Sequence, residues 1–322
     1  GEADLVITGQ QPGRLGGPLY TLYKLATAVE LARLMSEAGR PTVAVYWSGD
    51  DDDDHDEALA PVCWDPTTGD LLDLPSGPGR KTPDRRHPMV GRLGCRDTVT
   101  GEAAWLSDRA AGGSSLVSGL ARLWAEAVES NRTWADLQAD LVDLLFPDDG
   151  VVVVSGDDPR LHAAAAPLYE RLMAGDDRWS GLVDDTGRSL KANGFHAQIG
   201  GRALQRGMFA DVDGFREAAE PGAEPGSLRP GVMFRSPVQD WLLEPAAVVV
   251  GPGELAYLKQ LAPLYGALGI HRSPLVPRLA AWLLPEDERE PGLEPVPDPA
   301  GADGWAARAT GLAVDELQAI LE

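Results

Sequence analysis

The stretch that decides the fold runs from residue 5 to residue 47. It consists of LVITGQQPG at residues 5–13, a helical segment at residues 19–38 and TVAVYW at residues 42–47. The two short apolar runs favour buried strands, and the first ends in a loop rich in Gly and Pro. Between them, Leu and Ala recur at helical spacing up to Gly39, a residue type that commonly ends helices. This order predicts two parallel strands joined by a right-handed crossover.

Further apolar segments extend this pattern along the chain. They predict strands at residues 151–154, 194–199, 231–235, 246–250 and 270–276, and helices at residues 115–129, 133–146, 160–173 and 255–268. Residues 65–113 are rich in Gly, Pro, Arg and Asp, which predicts a long irregular insertion with short elements. The alternation of strands and helices indicates an α/β fold with a doubly wound parallel sheet.

The same pattern divides the chain into four parts. We predict a first half of the sheet core at 1–62, an insertion with helices at 63–146, the remainder of the core at 147–284, and a Pro-rich acidic linker with a short C-terminal helix at 285–322. Ligands of such sheets bind beyond the carboxyl ends of the strands. Three predicted loops reach that edge, at residues 8–13, 48–57 and 251–254.

The charge balance excludes several classes of function. The 322 residues include 28 Lys and Arg against 50 Asp and Glu, for a formal net charge of -22. Such a field repels nucleic-acid backbones and anionic membrane surfaces. No apolar run is long enough to span a bilayer, and the first residues lack the features of a signal peptide. The two cysteines form neither a zinc nor a redox motif, so we expect a cytoplasmic protein without a metal or another cofactor.

The most prominent feature is the acidic run at residues 50–57, where seven of eight residues are carboxylates. Three interpretations compete. The run is a solvated or structural surface, it binds a divalent cation through hard oxygen ligands, or it binds an amine and supplies a general base. In the third case, like-charged neighbours would raise the pKa of one Asp.

Two other loops offer polar groups near helix N-termini. The loop TGQQPG at residues 8–13 lacks the lysine of a phosphate-binding P-loop and the glycine pattern of a dinucleotide site. It supplies backbone N–H groups, two amides and a hydroxyl, which suit an anion or a polar substrate, although it could equally be a simple tight turn. The loop GPGE at residues 251–254 is a second such cradle. His196 falls on a predicted strand, and we interpret it either as a core histidine or as a catalytic one.

Several segments together resemble the BshC family, the cysteine-adding enzymes of bacillithiol biosynthesis. They are TGQQPG at 8–13, GPLYTLYK at 17–24, Trp47 with the acidic residues that follow it, RSPVQD at 235–240, GPGELAY at 251–257, and Pro277-Arg278. The resemblance implies a Rossmann-like core with inserted connective segments and a long C-terminal coiled coil that forms dimers. It also implies addition of cysteine to glucosaminyl malate.

The sequence departs from the family pattern in two respects. In the acidic run, Asp53 stands where the family has His, and His55 stands where it has Phe. The long coiled coil is expected to be absent, since the chain ends at residue 322. Short relatives of this kind resemble subunits of secondary metabolism, such as the azinomycin-type enzyme that closes an aziridine. In that reaction an amine displaces a neighbouring sulfate ester on a carrier-bound amino acid.

The leading hypothesis is therefore a BshC-like enzyme that forms a C–N bond by displacing sulfate, giving an aziridine or another azacycle. The candidate catalytic residues are Asp51, Asp52, Asp54 and His55. The candidate substrate- and anion-binding residues are Thr8, Gln10, Gln11, Lys24, His196, Arg235, Gln239, Gly253, Glu254 and Arg278. The alternatives are a BshC-type cysteine ligase and a non-catalytic carrier-binding subunit. The expected partners are an amine substrate, which an amino-group carrier protein could hold, and a second small subunit in a hetero-oligomer.

Overall fold

A computed structural model describes residues 3–59, 88–110, 115–205 and 207–280. The strands are β1 (Asp4–Gln10), β2 (Thr42–Ser48), β3 (Val152–Ser155), β4 (Met208–Val212), β5 (Phe215–Ala218), β6 (Leu228–Pro230), β7 (Ala247–Val250) and β8 (Leu275–Pro277). The α-helices are α1 (Tyr20–Glu37), α2 (His55–Leu59), α3 (Arg96–Ala110), α4 (Ser115–Ser130), α5 (Trp134–Leu145), α6 (Pro159–Met173), α7 (Asp176–Ala192), α8 (Arg202–Gln205), α9 (Val232–Leu243), α10 (Pro252–Gln260) and α11 (Ala262–Leu268).

The main sheet has five parallel strands in the order β3-β2-β1-β7-β8. The central strand β1 pairs with β2 from Asp4 opposite Thr42 to Gln10 opposite Ser48. On its other side β1 pairs with β7. The chain places β2 and β3 on one side of β1 and then β7 and β8 on the other, so the strand order reverses at the boundary between β1 and β7. The predicted α/β fold with a doubly wound parallel sheet is confirmed.

Helix α1 covers one face of this sheet because its apolar residues recur at helical spacing. Ala28 and Met35 of α1 are buried against Val6 of β1 and Val249 of β7. Helices α3 to α5 form a separate apolar cluster centred on two buried tryptophans, Trp124 and Trp134. The largest cluster joins α6, α7, α9, α10 and α11 on the C-terminal side of the chain.

A second, smaller sheet is antiparallel and has the order β5-β4-β6. None of its three strands was predicted from the sequence. They are short, and only Leu228 and Met208 among their apolar residues are fully buried, so they lack a long apolar run. This sheet is important for the site, because it supplies arginines that contact the acidic run.

The predicted strands at residues 194–199 and 231–235 are wrong. The first segment is a loop, since Gly194 has a φ of 80° and Phe195 N–H donates to Leu190 O at the end of α7. The second is the start of α9, where Gly231 precedes the first turn and Met233 and Phe234 are buried on one helix face. Both segments contain apolar residues whose short runs suit either a strand or a helix.

Other boundaries also differ from the prediction. The single helix predicted at 255–268 is two helices that meet at Leu261, because Pro263 starts the new helix α11. Helix α3 lies in the region predicted to be irregular, and α7 was not predicted. The predicted linker and helix at 285–322 lie outside the described residues, so the four-part division remains a prediction.

Candidate functional site

A cleft of about 450 Å³ lies beyond the carboxyl ends of β1 and β7. This is the point where the strand order reverses, and the crevice outside such a point is where open α/β sheets bind their ligands. Its charged and amide-bearing lining residues come from the end of β1, from three loops and from α1, α2, α9 and α10: Gln10, Gln11, Lys24, Asp52, Glu57, Arg235, Gln239, Glu254 and Arg278.

Two glycines allow the cleft walls to come close together. A Cβ atom at Gly9 would lie 2.7 Å from the carbonyl oxygen of Trp47, so β1 could not run so near to the end of β2 with a larger residue. A Cβ atom at Gly251 would lie 3.2 Å from Glu254 Oε2 and 3.6 Å from Arg278 Nε. Gly251 therefore leaves space beside the guanidinium group of Arg278.

Lys24 holds the two central loops together. Its Nζ atom lies 2.6 Å from Glu254 Oε2 and donates hydrogen bonds to Gly9 O at 2.8 Å and Gln10 Oε1 at 3.1 Å. The same Glu254 oxygen accepts a hydrogen bond from Gly251 N. Because a carboxylate already neutralises Lys24, its predicted role as an anion ligand is less suitable than a structural one.

Glu57 sits at the cleft rim with two hydrogen-bond donors. Gln10 Nε2 donates to Glu57 Oε1 at 2.6 Å, and the Tyr20 hydroxyl donates to the same oxygen at 2.9 Å. Burial and the neighbouring Glu57 carboxylate raise the pKa of Tyr20, so its hydroxyl stays protonated and continues to donate. Within the described part of the chain, Glu57 has no Lys or Arg within ion-pair distance.

Asp52 is the candidate catalytic residue that reaches the cleft. Its carboxylate accepts hydrogen bonds from Arg235 Nη1 at 2.9 Å and Arg216 Nη1 at 3.2 Å. Burial alone would raise its pKa, but the attraction of Arg235 and Arg216 outweighs burial and lowers the pKa to about 2. The expectation of a general base with a raised pKa is therefore wrong for Asp52.

The other candidates in the acidic run do not line the cleft. Asp51 is buried behind it, 3.5 Å from Arg235, beside a small internal cavity. Asp54 is exposed, and its Oδ1 atom accepts the N–H of Glu57 at 3.2 Å. His55 is buried at the start of α2, with Nε2 2.8 Å from Pro88 O. These three contacts orient the loop, and none of the three side chains lines the cleft.

The raised carboxyl pKa belongs to Asp50, which was not a candidate. Burial is the main cause, the nearby Asp51 carboxylate adds to it, and the pKa of Asp50 rises to about 7. Its Oδ1 atom accepts the N–H of Asp157 at 2.9 Å. Asp50 thus connects the end of β2 to the loop after β3, behind the cleft.

Arg278 is a cation that remains available for a ligand. Its Nη1 atom donates to Leu279 O, and its Nε atom has no hydrogen-bond partner. Among the described residues, no carboxylate lies within ion-pair distance of it. Gly253, in the first turn of α10, lines the same end of the cleft. First-turn N–H groups lack partners within their helix and favour anions, so this end suits an anionic group.

The remaining predicted residues fall into two groups. Gln11 and Gln239 line the cleft as expected. Thr8 is buried in β1, where its hydroxyl donates to Val249 O at 3.1 Å and ties two strands together. His196 is exposed in the loop after α7, which corrects its predicted strand, and it does not line the cleft, so the structure lends its predicted binding role no support.

Arginines from distant segments neutralise much of the acidic region. Arg216 on β5 contacts Asp52, and Arg229 on β6 contacts Asp157 at 2.8 Å. Arg92 contacts the same Asp157 at 2.6 Å. The acidic loops therefore anchor the small antiparallel sheet to the main sheet. Part of the acidic run is structural, as one of the three interpretations proposed.

Sequence reasoning also missed several cleft residues, among them Tyr20 and Glu57. Both lie in motifs that were singled out, GPLYT and the acidic run, and only their orientation was unknown. No feature of the sequence indicated that Arg216 would contact the site. Across the described ranges, no group of three or more His, Cys, Asp or Glu side chains is placed to hold a metal ion. No helix in those ranges is long and apolar enough to cross a membrane.

Comparisons with known proteins identify relatives of the whole described region. The model of the bacillithiol biosynthesis BshC N-terminal Rossmann-like domain matches residues 2–224 and 218–279. A curated protein of Salinibacter ruber named "Putative cysteine ligase BshC" is 31% identical over 305 residues, covering 87% of this chain and 54% of the relative. Proteins of the same name from Koribacter versatilis and Geobacillus thermodenitrificans are 30% and 28% identical, each over 87% of this chain.

The chain spans about half the length of the curated relatives it matches, with 54% and 55% of these three proteins covered. The match includes every loop that contributes to the cleft, since the family model extends from β1 to residue 279. This chain belongs to the BshC family, whose N-terminal Rossmann-like domain it contains.

Proposed function

We propose that the chain is an enzyme that forms a C–N bond in this cleft, and that its reaction is a BshC-type cysteine ligation. One observation carries the proposal. Of the charged side chains that line the cleft, Lys24 and Glu254 pair with each other, and Arg235 pairs with Asp52. Among the described residues, that leaves Glu57 and Arg278 without ion-pair partners.

These two charges flank a single aromatic ring. The guanidinium carbon of Arg278 lies 5.5 Å from the ring centre of Tyr20, and the Tyr20 hydroxyl donates to Glu57. A substrate that carries an anionic group and an amino group would satisfy both ends at once. The anionic group would bind Arg278 and the first turn of α10, and the amino group would bind Glu57.

In this arrangement Glu57 is the group best placed to accept a proton from the amine. Asp52 is less suitable, because its low pKa makes it a weak base and two arginines already hold it. Holding the nucleophilic amine against a second bound substrate would contribute through proximity and orientation.

The sulfate-displacing cyclase is the second candidate. It uses the same two ends, because a leaving sulfate requires a cation and the attacking amine requires a carboxylate. The departures that favoured it, Asp53 and His55, lie outside the cleft, whereas Asp52 and Glu57 line it. The departures therefore lend the cyclase no support from the cleft, and the family relationship favours the ligase.

The experiment compares the two reactions directly. Ligation of the cysteine carboxyl group to an amine expels water, so the assay contains cysteine, glucosaminyl malate and a nucleoside triphosphate that activates the carboxyl group. Mass spectrometry detects the cysteine adduct, and a parallel assay measures sulfate released from a sulfated amino alcohol. The proposal predicts the adduct, and sulfate release without adduct would instead favour the cyclase.

Variants connect the activity to the cleft. We expect Glu57→Gln and Arg278→Gln to abolish or strongly reduce adduct formation. Arg33→Gln is the matched control, since Arg33 lies on the exposed face of α1 and pairs with Glu30 and Glu37. Absence of both activities in the wild type would point to the third hypothesis, a subunit that binds a carrier protein without catalysis. The second small subunit and cytoplasmic location remain predictions.

A further inference from the structure

Gln11 is buried in the cleft wall with an amide that bonds to nothing in the described structure. The residue is 7% exposed, and both Nε2 and Oε1 of its side chain lack a hydrogen-bond partner. The adjacent Gln10 differs, because its amide contacts Lys24 and Glu57. A buried amide without partners is costly, and folding alone gives no reason to retain it.

The backbone around Gln11 is closely packed, so the missing bonds do not reflect a loose loop. Gly49 N–H donates to Gln10 O at 3.0 Å, and a Cβ atom at Gly49 would lie 3.4 Å from Gln11 Cα. The backbone is therefore fixed between the ends of β1 and β2, at a position that lines the cleft.

We propose that Gln11 determines specificity by selecting ligands with a neutral polar group that both donates and accepts hydrogen bonds, such as a hydroxyl or a carboxamide. This inference rests on the proposed function only in taking the cleft as the substrate site. Gln11 carries no charge, and the ammonium and the anion are already assigned to Glu57 and Arg278. Its amide N–H and C=O groups would form hydrogen bonds with a third, neutral part of the substrate.

The first test measures unfolding without any ligand. Gln11→Met should raise the melting temperature by about 2–6 °C, because it removes a buried amide that has no partner. Gln260→Met is the matched control. Gln260 is fully buried, but its amide accepts from Ile199 N at 3.0 Å and donates to Ile199 O at 2.8 Å. We expect that variant to melt several degrees lower than the wild type.

The second test measures ligand binding by calorimetry. Glucosaminyl malate offers sugar hydroxyls, whereas succinate offers carboxylates and no neutral donor. Gln11→Met should weaken glucosaminyl malate binding about 10-fold to 100-fold and leave succinate binding unchanged. Equal binding of glucosaminyl malate by the variant and the wild type would overturn the inference. So would a fall in melting temperature like that of Gln260→Met.

Failure of the proposed function and failure of the inference about Gln11 give different results. If glucosaminyl malate does not bind the wild type, the substrate proposed above is wrong. The melting temperatures of Gln11→Met and Gln260→Met without ligand then decide the role of Gln11. A higher melting temperature for Gln11→Met supports the inference that the Gln11 amide binds the ligand and is not needed for folding. A lower one shows that the amide serves the fold, and the inference fails.

Discussion

Replacing Asp52 with Asn tests whether the acidic run anchors the small sheet. In the folded protein, Arg235 and Arg216 lower the pKa of Asp52 from 3.8 to about 2. Each pKa unit corresponds to about 1.36 kcal/mol, so the ionised carboxylate contributes about 2 kcal/mol to stability at neutral pH. The side chain is 26% exposed, which is low enough for most of this energy to survive solvent screening. We therefore expect Asp52→Asn to lower the free energy of unfolding by about 2 kcal/mol at pH 7.

The pH dependence gives the sign of the effect. Because the folded pKa lies below the unfolded one, the stabilisation is fully present above about pH 4 and is lost as the pH falls toward 2. Urea unfolding should show the gap between wild type and variant closing over that range. Asp54→Asn is the control, since exposed Asp54 has no such pair, and it should change stability by less than about 0.5 kcal/mol. Equal effects of the two variants, or a gap that does not change with pH, would refute the reasoning.

Three further predictions concern other groups. Glu102→Leu should cost about 3–5 kcal/mol in urea unfolding, because the fully buried Glu102 contacts Arg14 at 2.5 Å and accepts from Trp124; a loss under 1 kcal/mol would contradict this. Burial and Arg229 lower the pKa of His162 to about 4, so wild-type stability should fall as pH drops from 6.5 to 4, and His162→Gln should remove that part of the fall. Burial raises the pKa of Asp50 to about 7, so Asp50→Asn should gain stability over the wild type as pH rises from 4 to 8, as melting temperatures would show.

The sequence predicted the main sheet because its strands are buried on both faces and stand out as apolar runs. Val6, Val45 and Val249 are examples, all almost fully buried. Nine of the predicted residues line the cleft, and the parallel arrangement explains those that follow β1, β2 and β7, such as Gln11, Asp52 and Gly253. Short apolar segments such as residues 231–235 were ambiguous, since a buried helix face and a strand share the same composition.

The pairing of charges could not be predicted from the sequence. Arg216 contacts Asp52 across 164 residues of sequence, from a strand whose existence the pattern did not reveal. Without that contact, the acidic run suggests mutual repulsion and a raised pKa for its members. With it, Asp52 becomes a stable anion. Among the described residues, the cleft carboxylate without an ion-pair partner is Glu57, and its orientation depends on Gln10 and Tyr20.

The measurement that tests the central claim most directly is a crystal structure of the protein grown with glucosaminyl malate. The account predicts density in the cleft between β1 and β7, with a carboxylate of the ligand bonded to Arg278 and its amino group within hydrogen-bond distance of Glu57. Density at any other surface, or a ligand in the cleft that contacts neither residue, would contradict it.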